Sequence, residues 1–426
     1  DTLSGIARRF GTTVEAMVVT NGIEDPSKLF PGAVLTIPGF EGFEGVLTLQ
    51  EVALGEDLTS LSLRYNVSAD VLARLNRLVR SDRLYVGQSF IIPEPVDGAL
   101  SGDSVGAFLP HLGETRLEIA VRAGINPWDL RRSAEDSLRL WVMPGNPLTD
   151  SRGWRVSLPE QFTSISIEPL PVVQGHTVVL RAGVSRPIRL EGSLGDHHLT
   201  FFQTDEGELV ALQGIHALAE PGLIDLELRM TLSEDGETDY VFRQPVLVED
   251  GDYGFQYLVG VPEETVDPES IRPEEEFVAA LLAPATPDKL WVGSFDYPSR
   301  YYTDEFIADF GVRRNYNYGA LFYYHTGLDF YGSNVPIYAP SRGVVVFAGP
   351  LMIRGNVTYI DHGWGVYSGY FHQAEMFVQE GDIVERGQEI GIVGSTGRST
   401  GPHLHWEIWV GGVPINPLDW VDQGYP

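Results

Sequence analysis

The chain has 426 residues, too many for one ordinary hydrophobic core, so we expect about three domains. It contains no cysteine, which excludes disulfides, a thiol nucleophile and cysteine-ligated zinc but leaves the cellular compartment open. Its net charge of −30, from 29 basic and 59 acidic residues, argues against nucleic acid and anionic membranes as partners. No apolar run reaches the roughly eighteen residues of a transmembrane helix, so we expect no transmembrane segment.

A duplicated module occupies the first part of the chain. Residues 7–11 align with residues 62–66, and the same shift of 55 positions carries Asn21 onto Asn76, Leu29 onto Leu84, Gly32 onto Gly87 and Pro38 onto Pro93. A gapless match of this kind indicates a repeated structural unit. Apolar residues at helical spacing, followed by a short strand, predict two helices against a small sheet in each copy, at 1–39 and 46–95.

These copies resemble LysM carbohydrate-binding modules. The first copy carries the motifs Asp1-Thr2-Leu3-Ser4, Arg9-Phe10-Gly11, Asn21, Pro31-Gly32, Leu35 and Ile37-Pro38. It lacks the strand expected before Asp1, so we expect the chain to be truncated there and the absence of a signal peptide to be uninformative. The second copy is looser, with Val86 where the first has Pro31. A degenerate third copy is suspected at 103–147 from residues 119–124 and 143–145.

The LysM resemblance implies binding to polymers that contain N-acetylglucosamine, such as peptidoglycan or chitin. The alternative is that degenerate copies serve as spacers and no longer bind. In either case small α+β folds are expected for these segments.

Short alternating apolar runs between 155 and 250 predict β-strands. Several such strands separated by Gly, Asp and Pro clusters predict an immunoglobulin-like β-sandwich. The Asp196-His197-His198 segment is interpreted as a solvated turn leading into a strand. Residues 251–290 are acidic and proline-rich with an apolar helical patch from Phe277 to Leu282, which predicts a linker or helical strut. Strand signals dominate 291–426, so the chain is predicted to be multidomain and mostly β.

Two histidines of the last segment share one face of a predicted strand. In His403-Leu404-His405 the alternation of an extended backbone points both imidazoles the same way, with Leu404 and Trp406 toward a core. His325 and Asp329 form a second pair whose i, i+4 spacing puts both on one side of a strand or a helix. The intervening Gly327 favours the strand.

A hydrolytic zinc site needs about three protein ligands and one open position for water. His325, Asp329 and His405 would supply this set, so a Zn²⁺ ion is predicted that lowers the pKa of its water and polarises a scissile carbonyl. His403 and His372 would then be free to activate the water or to donate a proton, and the sequence does not separate these roles.

The remaining histidines receive more ordinary interpretations. His111, His176 and His216 are predicted to be hydrogen-bonded residues without a catalytic role. His362 is predicted to be a turn residue or one that supports the metal ligands.

The segment 305–422 resembles the lysostaphin-like (LytM-type) zinc metalloendopeptidases. The shared motifs are Phe310-Gly311-Val312-Arg313, His325 to Asp329, Pro336 to Pro340, Gly343-Val344-Val345, Ile360 to Gly363, Tyr370-Phe371-His372, Val384, Gly387-Gln388, Gly394 to Glu407 and Asn416-Pro417-Leu418. Carried over position by position, the family's zinc ligands fall on His325, Asp329 and His405, and its catalytic histidines fall on His372 and His403.

The resemblance implies a C-terminal antiparallel β peptidase domain at 291–426, with the site in an open groove, that cleaves peptide cross-links or bridges in peptidoglycan. Some members of the family also use a tyrosine to stabilise the transition state. Four tyrosines are open for that role: Tyr316, Tyr318, Tyr323 and Tyr324.

Two functions from different classes remain. The first is an exported zinc endopeptidase of the cell envelope or the extracellular space, attached to wall glycan by the LysM-like modules. The second is a wall-binding regulator that activates other hydrolases and has little activity of its own. The complete ligand set favours the enzyme, while the bond that is cut stays open.

Overall fold

The computed structural model describes residues 2–23, 25–26, 29–30, 33–38, 46–65, 67–78, 84–94, 162–231, 240–300 and 306–426. The chain is mostly β, as predicted, and divides into two compact units, Asp1–Pro159 and Glu160–Pro426. The suspected third repeat at 103–147 lies outside the described residues. Within the described ranges, no helix is both long enough and apolar enough to cross a bilayer.

The first unit contains both copies of the repeat. Its elements are α1 (Leu3–Arg9), α2 (Val14–Asn21), β1 (Val46–Glu51), α3 (Leu58–Tyr65), α4 (Ala69–Leu75) and β2 (Ser89–Glu94), and β1 pairs antiparallel with β2. Each copy therefore has the predicted pair of helices. Apolar side chains from both copies, including Met17 and Leu75, pack in one core.

Polar side chains also repeat between the two copies. The Asn21 side chain donates to the carbonyl oxygens of Met17 and Thr36 and accepts from the Thr36 amide, at 2.6–2.9 Å. Asn76 makes the equivalent three hydrogen bonds 55 positions later, at the same distances. Each asparagine ties the end of the second helix to the closing segment of its copy, and leaves none of these backbone groups unpaired.

The second unit begins with two sheets. Their strands are β3 (Phe162–Glu168), β4 (Val172–Val173), β5 (Thr177–Val184), β6 (Arg189–Leu194), β7 (His197–Leu199), β8 (Phe202–Gln203), β9 (Leu209–Gly214), β10 (Gly222–Thr231) and β11 (Tyr240–Glu249). One sheet has the order β3-β5-β9-β8 and the other β4-β11-β10-β6-β7. The strands predicted between 155 and 250 are therefore present, and the immunoglobulin-like arrangement stays a prediction.

A short connecting region follows, with β12 (Phe255–Leu258), a 3-10 turn at Glu263–Thr265 and α5 (Pro268–Leu281). The helix begins after Asp267, whose carboxylate accepts from the amide of Ser270. It buries Ile271, Glu274 and Val278, which lie on one face. The helix predicted in this region is present.

The remaining elements are β13 (Phe306–Ala308), β14 (Arg313–Tyr316), β15 (Leu321–Tyr324), β16 (Leu328–Tyr331), β17 (Pro336–Tyr338), β18 (Gly343–Leu351), β19 (Gly355–Gly363), β20 (Val366–Met376), β21 (Ile383–Val384), β22 (Glu389–Val393), β23 (His403–Val410), β24 (Val413–Ile415) and α6 (Pro417–Asp422). The main sheet has the order β13-β16-β23-β20-β19-β18-β21, with β17, β22 and β24 attached at its side. A separate sheet has the order β12-β14-β15, in which β12 runs parallel to β14.

A continuous hydrophobic core joins the parts of the second unit. Leu404, Trp406 and Ile408 of β23 are fully buried in it, and Val179 and Leu212 of the earlier sheets belong to the same cluster. The core therefore continues across the predicted boundaries at 250 and 290, and it holds the strands that carry the functional side chains rigid.

Candidate metal centre

Strand register places two predicted ligands directly opposite each other. Asp329 in β16 pairs with His405 in β23, and His403 lies two residues away on the same face. Leu404 and Trp406, on the opposite face, are fully buried. The alternation predicted for this strand is confirmed.

His325 reaches the same point from outside the strand. The prediction of one continuous strand across both ligands is wrong, because β15 ends at Tyr324 and β16 begins at Leu328. The backbone between them passes very close to β23: a Cβ on Gly327 would lie 2.1 Å from the carbonyl oxygen of Trp406. Only glycine permits this approach, which brings His325 to the ligand face.

Three potential ligand atoms form a triangle. His325 Nε2 lies 2.9 Å from both Asp329 Oδ1 and His405 Nδ1, and these two atoms lie 2.8 Å from each other. All three side chains are buried. Two imidazole nitrogens and a carboxylate oxygen are a donor set that zinc uses at catalytic sites, and the group fits a metal site.

The second nitrogen of each imidazole faces an oxygen. His325 Nδ1 donates to the carbonyl oxygen of Asp309 at 2.7 Å, and His405 Nε2 lies 3.2 Å from a carboxylate oxygen of Glu407. With protons on these outer nitrogens, the inner nitrogens carry lone pairs that face each other and Asp329. Lone pairs this close repel until a cation stands among them, so the residues fit a metal ion.

Charge at the triangle follows from burial and pairing. Burial lowers the pKa of His325 to about 4, although the carboxylate of Asp329 opposes this. Burial alone would lower the pKa of His405 too, but its hydrogen bonds to Asp329 and Glu407 outweigh burial and raise it. Burial would raise the pKa of Asp329, yet the two imidazoles hold it well below its usual range. A positive charge on His405 is therefore stabilised between the carboxylates of Asp329 and Glu407.

Sequence reasoning missed Glu407, whose carboxylate supports the site. It accepts hydrogen bonds from the Thr326 hydroxyl and from the Trp409 indole N–H, the latter at 2.6 Å. A sequence signal existed, because Glu407 follows His405 by two residues and so shares its strand face. The carboxylate behind His405 fixes the ring's tautomer and orientation.

His403 and His372 stand beside the triangle. His403 Nε2 lies 3.8 Å from Asp329 Oδ1, and the ring centroids of His403 and His372 are 4.7 Å apart. Each donates its Nδ1–H to a backbone carbonyl, at 2.8 Å to Gly401 for His403 and at 2.7 Å to Thr396 for His372. Each therefore presents Nε2 as a proton acceptor.

A β-bulge aims His372 at the groove. The register of β19 and β20 shifts between the pairs Thr358–Tyr370 and Asn356–Gln373, and His372 has a positive φ of 59°. A left-handed backbone is strained for a residue other than glycine, and bulges often redirect a side chain next to an active site. Burial lowers the pKa of His372 to about 3, so its ring is neutral at neutral pH.

All five predicted site residues line one groove of about 370 Å³. The main sheet forms its floor, and Gln256, Arg314 and Tyr323 of the sheet β12-β14-β15 contribute to one wall. Residues 400–402, just before β23, also line the groove. The strand β12 comes from the region predicted to be a linker, so that region is part of the groove.

The four tyrosines considered for transition-state stabilisation differ in position. Tyr318 is 89% exposed and does not line the groove. The Tyr324 hydroxyl lies 3.2 Å from His216 Nε2, and the ring of Tyr316 is covered by the Arg398 guanidinium. Tyr316, Tyr323 and Tyr324 all line the groove. Burial raises the pKa of Tyr323 to about 12, so its hydroxyl keeps its proton.

His362 is neither a turn residue nor a support for the ligands. It lies inside β19, fully buried, and its Nδ1 donates to the carbonyl oxygen of Arg342 at 2.8 Å while Nε2 meets a serine hydroxyl. Burial lowers its pKa to about 4, and a buried neutral imidazole satisfied on both nitrogens is a core residue. His176 and His216 are hydrogen-bonded, as predicted, and His111 lies outside the described residues.

Comparison with known proteins agrees with this architecture. Residues 323–417 match Peptidase family M23, and residues 1–38 and 51–93 match the LysM domain. Two similar proteins are the peptidoglycan DD-endopeptidase ShyA of Vibrio cholerae serotype O1 and the DD-carboxypeptidase/endopeptidase Mpg of Neisseria meningitidis serogroup B. They are 42% and 44% identical over 95 residues, which are 22% of this chain and 22% of each relative.

The chain thus spans about a fifth of the length of these curated relatives. A solved structure of the antimicrobial peptidase lysostaphin from Staphylococcus simulans is 34% identical over 23% of this chain and 44% of that chain, with a TM-score of 0.22. The class of the molecule follows from the family match: the chain carries a peptidase M23 domain at residues 323–417. Two LysM domains precede that domain in the same chain.

Proposed function

We propose that this chain is a zinc-dependent endopeptidase that hydrolyses peptide cross-links of bacterial peptidoglycan. The observation that carries the proposal is the buried triangle of three lone-pair donors with two further histidines beside it, all lining one groove. The alternative, a wall-binding regulator with little activity of its own, is less well supported, because three lone-pair donors and two further histidines line the same groove.

His325, Asp329 and His405 would hold the ion. When bound, zinc lowers the pKa of a water and polarises the scissile carbonyl. The oxygen acceptors behind the two imidazoles keep their lone pairs directed inward, and the buried position of the three side chains limits competition from solvent.

His403 and His372 would move the protons. Both have Nδ1–H fixed on a backbone carbonyl, so in both rings Nε2 is the nitrogen left to accept a proton. Attack of water on the carbonyl releases one proton, and the departing amine needs one. The histidine that accepts the first proton can return it to the amine, which closes the cycle without a net change in the enzyme.

Tyr323 is the tyrosine we propose for the transition state. Its hydroxyl keeps its proton at neutral pH, and the residue lines the groove. A protonated phenol can donate a hydrogen bond to the oxyanion that develops on the carbonyl. Tyr324 and Tyr316 are engaged elsewhere, by His216 and Arg398.

The LysM domains would hold the enzyme on N-acetylglucosamine-containing wall glycan. Attachment raises the local concentration of cross-links without new contacts at the groove. Such an enzyme works in the cell envelope or outside the cell, which is the location we propose. ShyA, named as a peptidoglycan DD-endopeptidase, supports this substrate class.

Product analysis tests the proposal. Purified full-length chain with measured zinc content is incubated with isolated peptidoglycan, and the soluble products are identified by mass spectrometry. We expect cross-linked dimers to become monomers, with one new amine and one new carboxylate for each bond cut. Persistence of the dimers with zinc bound stoichiometrically would refute the enzyme, whereas cleavage of a glycine-rich protein but not of peptidoglycan would refute the substrate.

A further inference from the structure

Three arginines converge on the groove that contains the metal ligands. Arg314 comes from β14, Arg354 from the turn between β18 and β19, and Arg398 from the loop before β23. The pKa of Arg398 is lowered first by burial and then by the charges of Arg354 and Arg314. The three guanidinium groups are thus close enough to repel one another.

Arg354 is neutralised by the protein itself. Its Nη1 donates to the carboxylate of Glu274 at 2.8 Å, and the amides of Ile353 and Arg354 donate to the same carboxylate. Its Nε donates to the hydroxyl of Tyr359 at 2.9 Å. This arginine therefore has a structural role, which joins α5 to the floor of the groove.

Arg398 has no such counter-charge. Its Nη1 donates to the carbonyl oxygen of Thr265 at 2.9 Å, and its guanidinium lies 4.9 Å from the ring centroid of Tyr316. It forms no ion pair within the described part of the chain, although Glu275 lines the same groove. A guanidinium held in place by a neutral carbonyl and an aromatic face keeps its remaining donors for another acceptor.

Arg314 also has little counter-charge from the described residues. Its only described carboxylate contact is from Nη2 to Asp329 Oδ2, at 3.4 Å, and Asp329 is already shared by two imidazoles. Its Nε is buried without a hydrogen-bond partner in the described residues. Burying a cationic donor without a partner is costly, so such groups in native proteins commonly await a ligand.

We propose that Arg314 and Arg398 form a carboxylate-binding subsite of the groove, and that it takes the carboxylate on the carbon that bears the leaving amine. This inference rests on the proposed function and refines its substrate. A guanidinium group can donate two parallel hydrogen bonds to one carboxylate. Because the donors are already held in position by the fold, they need no reorganisation when the substrate binds.

The subsite separates the possible wall substrates by charge. In a bond from D-alanine to diaminopimelate, the carbon bearing the leaving amine also bears a carboxylate, and the same holds for a terminal D-alanine. A glycine bridge joined through a lysine side chain has no carboxylate there. The geometry therefore favours cross-links to diaminopimelate, and also terminal D-alanine, over glycine bridges.

Substrate amidation tests the subsite without altering the protein. The kcat/KM of the zinc-loaded full chain is measured on a dimer cross-linked through diaminopimelate, on a stem peptide ending in D-alanine, and on each with that carboxylate amidated. We expect amidation to lower kcat/KM about tenfold to a hundredfold, the range for one hydrogen bond to a charged group. An effect confined to one pair identifies which source the subsite accepts, and no effect in either pair overturns the proposal.

The Arg398→Gln variant tests the assignment to residues. It should lose much more activity on the free carboxylates than on the amidated substrates, whereas Arg398→Lys should keep part of the preference. Equal losses on free and amidated substrates would show a structural role instead. Arg314→Gln provides the same comparison should Arg398→Gln unfold, and Arg342→Gln, whose exposed guanidinium pairs with Glu385, is the control outside the groove.

A binding measurement separates failure of the subsite from failure of the proposed enzyme. If the wild type cleaves none of the peptides, chelator-treated protein is titrated with the D-alanine stem peptide and with its amide. Preference for the free carboxylate that disappears in Arg398→Gln would keep the subsite while the enzymatic proposal fell. Equal affinity for the two peptides would refute the subsite.

Discussion

The LysM unit and the groove both contain polar side chains that are at least partly buried, but they differ in how those groups are satisfied. The side-chain amides of Asn21 and Asn76 form their hydrogen bonds with the backbone of their own copy. At the triangle, the outer nitrogens of His325 and His405 are satisfied, whereas the inner ones face only each other and Asp329.

This difference distinguishes polar groups that stabilise a fold from polar groups that await a ligand. A network closed within the chain rigidifies it, while an incomplete network costs stability and persists where function requires it. The predictions below alter one kind of network at a time and ask whether stability or activity responds.

The largest effect is expected from opening the triangle. In His405→Ala one of three ligands is lost, so we expect zinc to dissociate and hydrolysis to fall by at least about a thousandfold, since several kcal/mol of charge stabilisation go with it. Metal analysis and the rate on cross-linked dimers measure both. Stoichiometric zinc in the variant would contradict the ligand assignment, and chelation of the wild type should reproduce the loss.

The next effect is expected at the flanking histidine. His403→Ala keeps the triangle, so zinc should remain bound while turnover falls about a hundredfold to ten-thousandfold, the range for losing one general acid or base. Metal content and kcat on the same dimer separate this variant from His405→Ala. Turnover at the wild-type rate would end the catalytic role of His403.

A substitution in a polar network that is satisfied within the chain should lower stability and leave activity unchanged. Asn76→Ala removes three hydrogen bonds, so we expect the free energy of unfolding of the LysM unit to fall by about 2 kcal/mol, allowing for the partial exposure of the side chain. Urea titration of the full chain measures it, with Asn21→Ala as the matched variant. The rate on a soluble peptide should not change, and a slower rate would show that the two networks are not independent.

The smallest effect is expected from the pair His176 and Asp419, which is hydrogen-bonded within the chain and changes its charge with pH. The hydrogen bond to Asp419 at 2.9 Å raises the pKa of His176, although burial opposes this. The protonated pair therefore adds stability that is fully present below the unfolded-state pKa of about 6.5 and is lost as the pH rises through the folded-state value. His176 is 35% exposed, so we expect less than about 1 kcal/mol.

Unfolding midpoints of the wild type and Asp419→Asn at pH 5.5 and pH 8.5 measure this contribution. The difference between the two proteins should be larger at the lower pH. An equal difference at both values would mean that the charge of His176 has no part in it.

Local patterns in the sequence predict much of the molecule. Strand alternation places His403 and His405 on one face and Leu404 in the core. The repeat at a shift of 55 positions predicts that Asn21 and Asn76 occupy equivalent positions in the two copies. Both depend on neighbours in the chain or on direct duplication. The convergence of the five site residues agrees with the prediction, and their chemical roles stay proposals.

Features that depend on the exact register or contacts between strands could not be predicted. The bulge that redirects His372 arises from a register shift between β19 and β20, which no local pattern reveals. The break at Gly327 depends on the close passage of β23. Arg314 gains its position because β12, more than fifty residues earlier, runs beside β14 in the groove wall.

The presence of β12 in that wall determines which fragments of the chain keep the groove intact. A fragment that begins at residue 290 would lack β12 and leave β14 with an unpaired edge, and one cut at the limits of the M23 match would lack β14 as well. A chimaera that exchanges only the segment matched by the M23 family would separate it from the part of the groove wall that contains β12. We therefore expect the selectivity of the groove to be transferred only when residues 255–282 accompany that segment.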